Sequence, residues 1–391
     1  MLLNLELRHR PPEASLRYLE QNVNHLLQGF SDRRIDVPVD YQPEKGVEYP
    51  MPYVLLDRND EAVECFFADP DQRLRNSVCQ GDRVKFFVHP AMIAEYREKY
   101  PDLLNLAGDQ KVAPTASTRT VITRDLPYNF MIKSNMTRFV GFLRRNLRMS
   151  AVAQSNAIMK EMAEIENFAP KSLAYLPESI GVVYQTEVGL ILRECQARPK
   201  VDEERLLVPF FSLISLDRNW PEDPLLLCQI VENHPHKDPL LTFQEMILLP
   251  LLEAWAYLVF ERGILPIPHG QNLLLELDTR GTPTRIVFRD LSDATIDKQV
   301  REQQGLHCDF HRHWVDDTDH SPLKLGSEPI CDPEIARKIR YSLNYDFWIG
   351  RRLIDPFAIV LSQYPSCTAE KIVQAAQDFF HATIQNRAAD L

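Results

Sequence analysis

The sequence predicts an α+β fold in which antiparallel sheets carry packed helices. Three observations lead to it. Strand-length apolar runs separated by turn residues recur along the chain. The segment 242–262 is apolar nearly all round, the mark of a helix buried on every side, and Gly263 supplies its stop. Two apolar runs, 272–277 and 285–288, are joined by the turn-rich residues 278–283 and read as a β-hairpin.

That hairpin is the chemically richest part of the chain. His269, Gln271 and Asn272 precede its first strand, and Arg289 and Asp290 follow its second. Because antiparallel strands bring these ends together, an imidazole, two amides, a guanidinium and a carboxylate meet at one sheet edge. Such a set suits nucleotide and metal handling, with Asp290 as the oxygen ligand that a hard cation prefers. Glu276, inside the first strand, is a second candidate for the metal. A surface hairpin with polar ends is the alternative, and a short motif alone does not exclude it.

Composition narrows the function. At 391 residues the chain is too long for one small core, so two or three subdomains are expected. Its net charge of −11 and lack of a basic stripe argue against nucleic-acid binding. Seven scattered cysteines, an odd number with no C-x-x-C pair, read as reduced thiols rather than a disulfide framework. The first residues lack a signal-peptide layout, and the apolar run 246–260 is shorter than the ~20 residues of a membrane span. A cytoplasmic protein with no membrane partner is expected. Neither G-x-G-x-x-G nor a P-loop is present, so side chains must hold the phosphates of any bound nucleotide.

In chain order, 12–30 has helical spacing, with Leu16, Leu19, Val23, Leu26 and Leu27 on one face. A proline-rich connector over 37–52 leads to a predicted hairpin, 54–56 with 62–67. A strand over 84–88 then runs into His89-Pro90 and a short helix, 92–100. His89 fits a ligand-binding group at a strand end and fits equally a structural histidine before a helix-starting proline. Thr115, Ser117 and Arg119 crowd the opening of a strand over 114–122. A second strand, 128–132, ends in Lys133, and a helix carrying Arg138, Arg144, Arg145 and Arg148 is expected after it. Hydroxyls, a lysine point charge and planar arginine forks are what a triphosphate and a carboxylate substrate require, although a solvated basic helix face has the same look. Further on, 150–165 reads as helix, 172–196 as a hairpin and 206–216 as a strand. The segments 333–361 and 368–384 read as helices, with Tyr341, Trp348 and Phe357 as core. The stretch 307–320 holds many His, Cys and Asp residues, but its spacing fits no standard zinc pattern.

Taken together, these pieces resemble the siderophore synthetases that work without a nonribosomal template, of the aerobactin-synthetase (IucA/IucC) type. Phe87-Val88-His89-Pro90 resembles that family's strand ending in His-Pro. Thr115-Ala116-Ser117-Thr118-Arg119-Thr120 resembles its Thr-Ser-Ser-x-Arg-Thr segment. Lys133 followed twelve residues later by Arg145, then His269-Gly270-Gln271-Asn272 and Arg289-Asp290, complete the order. The resemblance spans 84–293. It implies fingers and palm subdomains, with a small N-terminal helix and β region over 1–83, fingers over 84–200 and a palm with a kinase-like hairpin over 201–391.

The resemblance also implies an ATP-dependent, AMP-forming ligase. A citrate-like or other carboxylate is activated as an acyl-adenylate and captured by an amine, hydroxylamine or alcohol. Thr115, Ser117, Arg119, Lys133, His269, Gln271, Asn272 and Arg289 would contact ATP. Arg145 and His269 would reach the carboxylate, with Lys133 as the third catalytic residue, and Asp290 would face Mg²⁺. The chain departs from the family in several places. It lacks much of the N-terminal portion that helps enclose the substrate, so an open pocket, a homodimer or a partner protein are all compatible with it. Ser292 stands where the family usually has glycine, Gly141 where it has a hydroxyl residue, and no C-terminal cysteine cluster is present. A kinase-like phosphotransferase, whose fold also places a His…Asn hairpin before a metal-binding Asp, and a non-catalytic nucleotide-binding relative remain the alternatives.

Overall fold

The computed structural model describes residues 10–24, 36–140, 143–234, 238–310, 324–325 and 328–388. The first strands are β1 (Tyr49–Asp57), β2 (Val63–Phe67), β3 (Cys79–Gln80), β4 (Arg83–Phe87) and β5 (Leu106–Pro114). There follow β6 (Thr120–Thr123), β7 (Phe130–Ser134), β8 (Met136–Val140), β9 (Leu143–Arg145) and β10 (Leu173–Tyr175). Next come β11 (Ile180–Tyr184), β12 (Val188–Glu194), β13 (Leu206–Pro209), β14 (Ile264–Leu265), β15 (Leu273–Leu277) and β16 (Pro283–Phe288). The fold is α+β, as expected, and it is built on two sheets.

The larger sheet has nine strands in the order β2-β11-β12-β7-β6-β5-β1-β4-β3, antiparallel at every pairing. Strands from both sides of residue 84 therefore share one sheet. The smaller sheet, β10-β16-β15-β13, contains the hairpin of β15 and β16. Asp278 shapes the hairpin turn, its Oδ1 accepting the N–H groups of Arg280 and Thr282, both at 2.8 Å. Gly281 takes the positive φ the turn needs, +83°.

The central strands β7, β11 and β12 are buried along their whole length, which matches their near-continuous apolar sequences. One face of the large sheet packs on a cluster built from Phe86, Tyr96, Phe130, Ile132 and Leu190. The opposite face meets the small sheet through Ile122, Met131, Ala174, Leu207, Leu274 and Val287. Most of the remaining core belongs to the helical half, around Phe243, Trp255, Phe288 and Phe357.

The apolar helix starts earlier than its sequence suggested and runs over Pro239–Glu261, 23 residues, with an 18-residue window of mean hydropathy 1.4. Its length and composition alone would cross a membrane. Leu248, Leu251, Leu252, Trp255, Leu258 and Val259 nevertheless lie within the main core, so it functions as a core helix. Gly263 follows it with φ +59°, as its sequence position predicted.

Four local expectations are corrected. The runs 54–56 and 62–67 do not pair with each other: β1 pairs with β4 and β5, while β2 crosses to β11. Turn chemistry between two apolar runs does not name the partner when other strands compete. The basic segment after Lys133 is not helical: β8 and β9 form an antiparallel hairpin, and the helix starts only at Met149. Thr137, Phe139 and Val140 favour extended backbone, and that preference outweighs the arginine spacing. The run 206–216 stops as a strand at Pro209, because proline donates no ladder hydrogen bond, and continues as a helical turn over Phe210–Leu213. Finally, the first helix ends at Asn22, and 25–30 lie outside the described residues.

The helix Met149–Ile165 lies against β11 and β12 at two glycines. A Cβ at Gly181 would run into the Val152 side chain, and one at Gly189 would sit 2.6 Å from the Leu147 carbonyl oxygen. The obstacle at Gly189 is backbone and cannot swing away. Gly189→Ala is therefore expected to destabilise the fold by about 1–3 kcal/mol, the usual cost of overpacking. Urea denaturation checks this, and an unchanged midpoint would contradict the packing.

Candidate functional site

Lys133 and Arg193 lie on adjacent strands, since β7 pairs with β12 in a register that sets Ile191 against Lys133 and Arg193 against Met131. Side chains two apart share a face, so both cations project from the large sheet toward the small one. Each is almost fully buried. From the other side, the chain leaving β16 delivers Arg289, Asp290 and Ser292. Asp290 adopts a left-handed backbone, φ +64° and ψ +43°, a conformation that Asp tolerates better than most residues.

The cations meet the Asp290 carboxylate. Lys133 Nζ donates to Asp290 Oδ1 in a short contact and to Ser292 Oγ at 2.8 Å. Arg193 Nη2 donates to the same Oδ1 at 3.2 Å and to Glu178 Oε1 in a short contact. Glu178 also accepts from Ser155 Oγ on the helix Met149–Ile165. Burial works to raise the Asp290 pKa, but Lys133, Arg193 and Arg119 together hold it below the usual carboxylate range. Both cations use Oδ1, and 26 % of the Asp290 side chain remains exposed.

The two ends of the hairpin do meet. Arg289 N donates to the Asn272 carbonyl at 2.9 Å and Arg289 Nε to the Gln271 carbonyl at 2.6 Å. His269 Nδ1 accepts the Gln271 N–H at 3.1 Å, and its ring lies 5.3 Å from that of Trp348. Trp348 is thus a neighbour of the site, not simple core filling. Asn272 uses its amide on the Ile267 carbonyl at 3.1 Å, inside the turn.

Arg289 serves as a strut. Its Nη1 is 2.6 Å from Glu20 Oε1 on the helix Pro12–Asn22, and Glu20 Oε2 accepts the Ala116 N–H at 3.0 Å. This one buried carboxylate joins the hairpin to the hydroxyl-rich turn. In that turn Thr115 Oγ1 donates to the Thr120 carbonyl at 2.7 Å and Ser117 Oγ accepts the Thr120 N–H at 3.0 Å. Thr118 holds φ +64°. Arg119 is buried beside the Asp290 cluster and lowers that carboxylate's pKa.

Other candidates lie elsewhere. Glu276 is buried against Arg285, its cross-strand partner, and Thr284, and it shares no partner with Asp290. Arg145 sits in β9 opposite Met136, and its side chain lies outside the described residues, as do Gly141 and most of 307–320. His307 points back to Glu161 at 3.2 Å. Glu161 is already bound by Arg262 and Arg301, so a metal there would face two guanidiniums. A cavity of about 680 Å³ lined by Glu95, Lys99, Arg138 and Arg148 does not include Lys133 or Asp290. His89 proves structural: its ring is buried against Tyr41 and Tyr49, and its Nδ1 accepts the Ala91 N–H at 3.2 Å.

Arg193, Glu178, Ser292 and Glu20 were not singled out as site residues by sequence. Ser292 alone carried a signal, as the departure from the family's glycine.

A family model described as "Ferric iron reductase FhuF-like transporter" matches residues 246–325, the stretch with the core helix and the hairpin. No curated protein matches in sequence. Among solved structures, the petrobactin biosynthesis protein AsbB of Bacillus anthracis str. Sterne superposes with a TM-score of 0.69 at 15 % identity, covering 95 % of this chain and 68 % of that one. The aerobactin synthetase IucC of a hypervirulent Klebsiella pneumoniae pathotype gives 0.66 at 14 %, covering 99 % and 73 %. ATP-bound IucA from the same source gives 0.64 at 12 %, covering 97 % and 72 %. The chain shares the fold of these petrobactin and aerobactin biosynthesis proteins, as the ordered sequence pieces implied.

Burial pushes the His89 pKa down to about 3, so the folded state stays unprotonated there while the unfolded chain takes up a proton below about pH 6.5. Stability is then lost as the pH falls. Between pH 7 and 5 the wild type should lose roughly 2 kcal/mol more than His89→Asn, measured by urea unfolding at both pH values. Equal losses would remove His89 from the acid sensitivity.

Proposed function

We propose that the protein is an ATP-dependent ligase that activates a carboxylic acid as its acyl-adenylate and passes the acyl group to an amine, hydroxylamine or alcohol. The observation that carries this reading is the Lys133–Asp290–Arg193 cluster at the seam of the two sheets, in a chain with the siderophore-synthetase fold. ATP enters as a substrate. Attack of the carboxylate on its α-phosphorus forms the acyl–phosphate bond and expels pyrophosphate. Negative charge accumulates on phosphate oxygens, which fixed cations stabilise without reorganising.

Lys133 and Arg119 are the buried cations beside Asp290 proposed for this work, and Arg145 on β9 is proposed as a third. His269, fixed through Nδ1 in the hairpin turn, is proposed to meet the carboxylate, with Gln271 beside it. Asn272 and Arg289 hold the turn in shape, and Thr115 and Ser117 hold the turn that carries Arg119. The cation most compatible with Asp290 is Mg²⁺, because Oδ2 and the exposed quarter of the side chain offer a hard oxygen. Glu276 does not suit the same ion, being saturated by Arg285 and Thr284. When bound, Mg²⁺ would neutralise phosphate charge. Two cations already on Oδ1 would oppose a third, so for Asp290 to hold Mg²⁺ Lys133 would have to turn from it toward a phosphate.

The nucleotide product tests the reading. The protein is incubated with Mg-ATP, a pool of di- and tricarboxylates and hydroxylamine as acyl trap. AMP and pyrophosphate that depend on one acid are expected, and ADP instead would establish a phosphotransferase. His269→Ala and Arg145→Ala should each abolish AMP formation while retaining the wild-type melting temperature. An unchanged rate would remove that residue from the site.

A further inference from the structure

Asp290 has two cationic partners, and only one of them is suited to leave. Lys133 sits on a flexible stem and reaches Asp290 and Ser292 by its terminal nitrogen alone. Arg193 bridges two carboxylates through one nitrogen: Nη2 donates to Asp290 Oδ1 and to Glu178, which is buried and itself held by Ser155 of the helix Met149–Ile165. Bound to Glu178, that nitrogen is a fixed donor to Asp290.

We propose that Arg193, anchored by Glu178, is a positioning residue that keeps the Asp290 carboxylate in place when Lys133 moves to a phosphate. This rests on the ligase reading and deepens it. Were Lys133 the only partner, its departure would leave Asp290 on a left-handed turn with nothing to fix its direction. With Arg193 retained on Oδ1, the carboxylate would stay fixed and Oδ2 would remain available to a metal. Glu178 acts through Arg193 and touches neither nucleotide nor metal.

The test is calorimetric titration of ATP at a series of Mg²⁺ concentrations, with thermal melting of each variant. Removing Arg193 alone would strand the Glu178 charge, so the double variant Arg193→Gln with Glu178→Gln removes both buried charges together. The expected result is a Mg²⁺ requirement for ATP binding raised about tenfold, with ATP affinity at saturating Mg²⁺ little changed; truncating a charge-assisted contact has that order of effect. A merely structural role would lower the melting temperature without moving the Mg²⁺ requirement. If the double variant does not fold, Arg193→Lys serves, since lysine keeps the charge but ends short of the Nη2 position from which both carboxylates are reached. Its Mg²⁺ requirement should rise severalfold. Wild-type Mg²⁺ dependence in whichever variant folds overturns the inference alone. A wild-type protein that binds no ATP overturns the ligase reading and this inference with it.

Discussion

The architecture turns on one constraint: charged groups brought to the seam between two sheets must be paired there, because burying an unpaired charge costs several kcal/mol. Lys133 and Arg193 come from the nine-stranded sheet, and Asp290 and Ser292 from the chain leaving the small one. Apolar contacts such as Met131, Leu274 and Val287 hold the seam closed around them. The contacts are thus the joint between the two halves and, in the proposed ligase reading, the chemical centre as well. An arrangement that stabilised the joint by apolar packing alone would have no groups with which to meet a triphosphate.

Glu20 makes the same point a second time. It lies at the start of the sequence, yet it binds Arg289 and the Ala116 N–H, segments far apart in the chain. Gln21 adds a bond from its Nε2 to the Pro114 carbonyl at 3.1 Å. The hydroxyl-rich turn and the hairpin are therefore set relative to each other by a helix that contributes no reacting group. A site assembled from such distant segments forms only when both sheets are in place, so its geometry is a property of the whole fold.

What the sequence revealed, and what it hid, follows from this. The hairpin of β15 and β16 was legible because turn residues and apolar runs are local signals, and Gly263 was legible because positive φ has a residue preference. The ordered motifs led to the right fold. The partner of β2 was hidden, since strand pairing is decided by segments more than a hundred residues away. The β8–β9 hairpin was hidden because charge spacing resembles a helix face when extended backbone is preferred. Arg193 and Glu178 were hidden most deeply: nothing local distinguishes a charged residue at the edge of a buried strand from one beside it. Ser292 could be seen as a departure from a family pattern, but only the structure shows that its hydroxyl receives Lys133.

The most direct measurement of the central claim is calorimetric titration of Mg-ATP into the wild type and Lys133→Ala, with folding of both verified by melting. If the seam is the nucleotide site, the wild type binds and the variant loses roughly tenfold to a hundredfold in affinity, the effect of removing one charge-assisted contact. Asp290 remains paired with Arg193 in that variant, so the fold should persist. Equal affinity in the two proteins would place ATP elsewhere and contradict the account.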